Sequence, residues 1–307
     1  MLSNALLVLA DFALIALGLL LRRLWSDDFN RAFWTGAEKL VYYVLFPALL
    51  FSAINRAQFS LGLEARVLAV AVAAFLAAVA ISFAARLLLR SAPADLFASC
   101  VQTGFRYNSY IGLALASSLL GPRGVALLAL VIGVCVPLAN LFAVYALAKS
   151  GQRGLLRELL RNPLIVSTVA GLVTNLLGIQ LPALVTSSFL DRLGAGGLAL
   201  GLLCIGAGLT LDVVNVPHRV LAVFTTIKLA LFPALGMAIG WAAGLKGVEA
   251  QLVVLFCALP TASTAYVLAA RMGGTPAPVA FAVTTQTLLA VLTIPLWMAL
   301  AALVAPR

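Results

Sequence analysis

Between Arg66 and Arg86 the chain carries no charged residue; the stretch reads "VLAVAVAAFLAAVAISFAA". About 20 consecutive apolar residues suffice to cross the hydrocarbon core of a bilayer as a helix. Strands of membrane barrels instead alternate apolar and polar residues in short segments. This run does not alternate, so it reads as a spanning helix. Comparable runs recur near 4–22, 36–54, 65–88, 95–119, 123–148, 163–180, 185–210, 218–244, 250–272 and 278–304, which gives ten expected spans. Composition agrees: 64% of the 307 residues are hydrophobic and 10% charged, where a soluble chain carries about a quarter charged. The fold class expected is an all-α integral membrane protein. The opening "MLSNALLVLADF" lacks the basic segment of a signal peptide and reads as a retained first span.

The formal charge is +10. In a membrane protein such an excess reports orientation, because cytoplasmic loops collect Lys and Arg; it does not call for nucleic acid. Counting loops in order, the odd ones hold eleven basic residues, and the even ones with the C-terminus hold six. The odd loops are therefore expected in the cytoplasm and both termini outside it. The longest polar connection is "KSGQRGLLRELLRNP" at 149–163. Its leucines at 155, 156, 159 and 160 lie opposite Arg153, Arg157 and Arg161, which suits either a surface helix or an ordinary linker. Cys100, Cys135, Cys204 and Cys257 sit inside apolar runs without Cys-x-x-Cys spacing and read as packing residues, not metal ligands.

A repeat is visible at about half the chain length. Pro137 in "VCVPLANLFAVYAL" falls on Pro295 in "VLTIPLWMALAALV" at a shift of 158. At 159, "FPALLFSAINR" falls on "IGAGLTLDVVN", and at a slightly smaller shift the fourth span falls on the ninth. Five spans per half is odd, so the second half enters from the opposite side and the repeat is inverted. The expected domains are 1–148 and 163–307, joined by the connector 149–162.

Two polar interruptions occupy matching places. "GFRYNSYIG" (104–112) breaks the fourth span and "ALPTASTAY" (258–266) the ninth. Pro260 removes a backbone donor; Gly104 and Gly112 loosen the fourth span. Broken backbone at membrane depth survives only where protein buries it or a wet cavity bathes it, and paired breaks point to a transport site. Each exposes a half-helix N-terminus, which favours an anion. Arg106 adds a charge that costs about 2.5–3.5 kcal/mol at the bilayer centre. It either braces the crossing against a carboxylate or carbonyls, or draws in an anionic substrate. Asn108, Ser109, Thr261, Ser263 and Thr264 either donate to that substrate or cap freed backbone. Tyr107, Tyr110 and Tyr266 flank a ligand or pack. Gln286, in "TTQT", is a candidate for the same cavity. Asp11 and Glu38 are candidates for a coupling proton and Lys228 for a charge partner; Glu38 and Lys39 also read as an interfacial ion pair. Asp212 and His218 are placed at the end of the seventh span and beyond it.

Other chemistry finds no residues. A zinc protease needs His-Glu-x-x-His, yet His218 is the single histidine. A serine protease needs a base beside its serine. No glycine-rich phosphate loop with a lysine is present, so ATP is not the fuel. The chain is expected to be no enzyme, without cofactor or metal.

"LVYYVLFPALLFSAI" (40–54), "GFRYNSYIGLALA" (104–116) and "LPTASTAYVLAARMGG…TTQTLLAVLTIPLW" (259–297) resemble the auxin efflux carrier family in its bacterial form, over nearly the whole chain. The resemblance implies ten helices in two inverted five-helix repeats, as in bile-acid symporters and sodium/proton antiporters, with helices 4 and 9 unwound and crossing at the substrate. Spans 1, 2, 6 and 7 would form a scaffold and homodimer contact, and spans 3–5 and 8–10 a moving transport unit. The crossing asparagine of the family matches Asn108 and its ninth-helix proline matches Pro260. Plant members carry a proline at the first crossing also, where this chain has Ser109, and their long central loop is absent. The function implied is secondary transport of small organic anions, such as carboxylates or auxin-like acids, across the inner membrane by elevator-type alternating access, with H⁺ or Na⁺ as possible coupling ions. The alternative is a cation/proton antiporter or sodium-coupled symporter on the same fold.

Overall fold

The computed structural model describes residues 2–57, 61–147, 162–179, 181–209 and 217–304. Of the connector expected at 149–162 all but Asn162 lies outside them, as does Asp212. The described residues are mostly helical and hold no strand. In order they are α1 (Leu2–Leu24), α2 (Arg31–Leu40), α3 (Phe46–Asn55), α4 (Leu61–Ala84), α5 (Ala94–Cys100), α6 (Ser109–Leu147), α7 (Pro163–Leu176), α8 (Asp191–Gly208), α9 (His218–Thr226), α10 (Phe232–Ala242), α11 (Gly247–Ala258), α12 (Thr264–Arg271) and α13 (Pro276–Val304).

Among the described residues, six helical segments are long and apolar enough to cross a membrane: Arg31–Asn55, Gly62–Leu87, Ala94–Leu147, Leu184–Gly208, His218–Ala242 and Pro276–Val304. Pro163–Leu176 and Gly247–Ala258 are apolar but shorter. The ten expected spans are not all matched by single long helices, in part because these two are short; Gly247–Ala258 stops at the break expected over 258–266. A second reason is Ala94–Leu147, which joins the expected fourth and fifth spans through a kink at Gly121, where φ is 65°. Only a residue without Cβ takes that value cheaply.

Prolines shape the long segments in one repeated way. Pro47 and Pro233 each stand one residue into a helix that follows a π turn, Val41–Leu45 and Ile227–Leu231. A proline offers no N–H to the carbonyl four residues back, and the widened turn absorbs the mismatch. In the second case that carbonyl is Leu229, and the Trp297 indole N–H donates to it at 2.8 Å.

By contacts the chain divides into two compact units. Unit 1 holds 1–64, 110–133 and 154–208; unit 2 holds 65–109, 134–153 and 209–307. In unit 1, α1 packs on α8 so closely that a Cβ on Gly18 or Gly206 would fall onto the backbone of Leu203 or Ile15. Small residues at helix contacts are the usual means of such approach in lipid. Helix α3 packs on α7, and two asparagines seal their ends. Asn175 Nδ2 donates to the carbonyls of Ile54, Asn55 and Ala57 at 3.0, 2.9 and 2.8 Å. Asn55 Nδ2 donates to Thr174 Oγ1 at 2.9 Å and to the Ile179 carbonyl at 3.0 Å. These bonds satisfy carbonyls that a helix C-terminus leaves open.

Unit 2 packs α10 on α11 and α11 on α13. Its centre is an aromatic cluster in which Phe75 meets Phe105, Tyr107 and Phe232, and Phe256 meets Tyr107 and Phe232.

Candidate functional site

Both breaks expected from the sequence are present in unit 2. The first follows α5: a 3₁₀ turn over Val101–Gly104, then irregular backbone until α6 begins at Ser109. Gly104 is required there, because a Cβ would strike the Ser82 hydroxyl. Gly112, expected to loosen the same break, is wound into α6. The second break runs from Leu259 to Ser263, between α11 and α12. Leu259 is extended, with ψ of 136°, as a residue before proline prefers.

The breaks are tied to each other. Asn108 N–H donates to the Pro260 carbonyl at 2.8 Å. Thr261 Oγ1 donates to the Thr103 carbonyl at 2.8 Å, and Gln286 Nε2 reaches that same carbonyl at 3.1 Å. Gln286 Oε1 accepts from Thr261 N–H at 3.2 Å. Gln286 is fully buried, and one amide thus serves freed backbone of both breaks, which no water could reach. Each such bond contributes about 1 kcal/mol net, but leaving a group unmade costs about 1–3 kcal/mol.

Arg106 is buried within this frame. Its Nη2 donates to Asn140 Oδ1 at 3.0 Å and to Thr264 Oγ1 at 3.2 Å. Its Nη1 is buried with no hydrogen-bond partner among the described residues, and none of the ion pairs found among them includes it. Two neutral side chains therefore aim a guanidinium whose charge they do not cancel. The neighbouring Tyr107 hydroxyl and Gln102 Oε1 are likewise buried without a partner. The Tyr107 ring packs 4.7 Å from that of Phe256.

Burial falls off on one side. Residues 101–108 and 259–261 are buried, Ser109 and Ser263 half-buried, and Thr264 and Tyr266 exposed. Ser263 stands at the N-cap of α12 without a side-chain capping bond. The N–H groups of Ala265 and Tyr266 close onto the carbonyls of Ala262 and Ser263 at 3.0 and 3.1 Å. Attraction for an anion at this end therefore rests on Arg106 more than on bare amides.

Lys228 is, after Arg106, the second buried cation of unit 2 among the described residues, and it too has no paired carboxylate among them. Its Nζ donates to the Cys257 carbonyl at 3.3 Å and lies 4.3 Å from the Phe232 ring centroid. That carbonyl lacks its helical donor because Thr261 N–H is turned to Gln286. Lys228 thereby closes the C-terminus of α11, where a positive charge is favoured.

The remaining candidates lie in unit 1. Asp11 is half-buried and accepts from Ser118 Oγ at 3.0 Å. The ring of Tyr110 packs edge-on to Phe46, 4.6 Å away. Glu38 and Lys39 are exposed on α2 and make no ion pair with each other, contrary to one reading of the sequence; adjacent helical residues diverge around the axis. Asn140, Thr103 and Gln102 were not singled out from the sequence. The visible signal for Asn140 was one amide inside "VCVPLANLFAVYAL".

Residues 152–298 match the family described as membrane transport protein. A protein of Rhizobium meliloti (strain 1021), named "Putative malonate transporter", is 27% identical over 308 residues, which is 94% of this chain and 92% of that protein. The resemblance stated from the sequence is thus upheld: the chain is similar to that family over residues 152–298 and to that relative over nearly its whole length, and its long apolar helices fit a membrane protein.

Proposed function

We propose that this protein is a secondary transporter of small organic anions, carboxylates such as malonate among them, and that the tied breaks of unit 2 form its substrate site. The observation that carries the reading is Arg106: a buried guanidinium held in place by Asn140 and Thr264, with one nitrogen unmet and no carboxylate paired to it. A charge so costly to place in a bilayer is retained for an anion that neutralises it. Tyr107, Asn108 and Ser109 line the first break, and Pro260, Thr261, Ser263 and Thr264 the second. The malonate name of the relative supports a carboxylate cargo.

The proposed mechanism is elevator-type alternating access across the inner membrane in a homodimer, on ten helices in two inverted repeats. In support, spans 1, 2, 6 and 7 fall in unit 1, and both breaks fall in unit 2 with spans 8–10. Lys228, Asp11 and Glu38 are the groups proposed to couple transport to H⁺.

The test is uptake of radiolabelled malonate by liposomes containing the purified protein. Saturable uptake by the wild type, reduced at least about tenfold in Arg106→Gln, is expected, since one charge-assisted bond is worth about 1.5–3 kcal/mol. Uptake equal in the two proteins would refute the site.

A further inference from the structure

Unit 1 holds a cavity of its own, of about 550 Å³, within the 300–1,000 Å³ typical of small-molecule sites. Its lining is Arg56, Arg123 and Asp191 over an apolar floor of Ala53, Ala57, Pro122, Ala126 and Leu127. Sequence distance makes the assembly specific: Arg56 ends α3, Arg123 follows the Gly121 kink of α6, and Asp191 opens α8.

The charges are arranged asymmetrically. Asp191 Oδ1 accepts from Arg56 Nη2 at 2.5 Å and from Ser52 Oγ at 2.8 Å. Glu64, which is buried, accepts from Arg123 Nη2 at 3.1 Å. Both carboxylates thus already have an arginine. A guanidinium, in contrast, has five N–H donors in a planar fork. Among the described residues Arg56 spends its own on Asp191 and, at 3.4 Å, on the Ser52 carbonyl; its Nη1 donors remain for a guest. Two guanidinium groups over an apolar floor suit a short carboxylate such as malonate, its charged ends toward the arginines and its methylene against alanine and leucine.

From this arrangement we infer that unit 1 contains a second carboxylate-binding site, with Arg56 and Arg123 as its anion ligands. It requires none of the residues of the substrate site proposed in unit 2.

Protection of an introduced cysteine tests this in the full-length protein. Ala57→Cys places a thiol on the cavity wall, while the native Cys100, Cys135, Cys204 and Cys257 are buried. Its labelling by a membrane-impermeant maleimide is followed with malonate, or with chloride at matched ionic strength. Malonate should slow labelling at least fivefold, with the same midpoint in an Arg106→Gln background. Arg56→Gln should abolish protection; this variant leaves Asp191 its bond from Ser52, so the fold is spared. Arg123→Gln combined with Glu64→Gln, which strands no buried charge, should do the same. Equal slowing by chloride, protection lost with Arg106→Gln, or protection that survives both arginine variants would each overturn the inference.

Discussion

Replacing Arg106 with glutamine separates a binding arginine from a bracing one, because the two roles predict opposite signs. In the folded protein Nη2 makes two hydrogen bonds to neutral partners, at 3.0 and 3.2 Å, while Nη1 makes none. If bracing were its task, the substitution would forfeit those two bonds, about 1–3 kcal/mol together, and leave ligand affinity alone. If it awaits an anion, the substitution removes a charge costing about 2.5–3.5 kcal/mol at mid-membrane. That relief offsets the two lost bonds, so the ligand-free protein should keep or gain stability. Malonate, deprived of a charge-assisted bond of about 1.5–3 kcal/mol, should bind roughly 10–100-fold more weakly. Thermal unfolding of the detergent-solubilised protein, with and without malonate, reads both quantities. A lowered Tm without ligand, together with an unchanged malonate midpoint, would refute the reasoning.

Gln286→Leu should cost about 1–3 kcal/mol, since Thr261 N–H loses its acceptor in a buried place; Tm and malonate uptake should fall together. Trp297→Phe removes the donor to the Leu229 carbonyl and should cost about 1–3 kcal/mol, seen as faster amide exchange around Ile227–Leu231. Gly206→Val drives a side chain into the Ile15 backbone, with overpacking worth about 1–3 kcal/mol or more; a Tm equal to wild type would show that α1 and α8 are not in contact in the membrane. Asn175→Ala strips three carbonyls at the end of α3 of their shared donor and should lower Tm by several degrees.

The sequence located the breaks because proline and glycine act locally. Pro260 forces Leu259 to extend whatever surrounds it, and a charge at Arg106 in an apolar run demands an explanation from chemistry alone. The partners of these groups were not legible, because they are set by packing between distant segments. Asn140 lies 34 residues beyond Arg106, and nothing in its neighbours marks it as a guanidinium acceptor. Gln286 looked like a cavity residue, yet its amide is occupied on both sides by backbone. Gly112 illustrates the opposite error: a glycine without tertiary reason to unwind stays helical. Hydropathy does not reveal that Pro163–Leu176 forms a helix of only 14 residues, whereas Gly247–Ala258 ends where the break at Pro260 is expected.

That Arg106 has no counter-ion among the described residues has an electrical meaning. If unit 2 carries that guanidinium across the membrane field, an unloaded return stroke moves one positive charge more than a stroke bearing a monoanion, and two more than one bearing a dianion. Across 100 mV a full elementary charge represents about 2.3 kcal/mol. The resting voltage of the cell would then favour residence on the negative side more for the vacant carrier than for the loaded one, and cargo valence would decide whether turnover generates current.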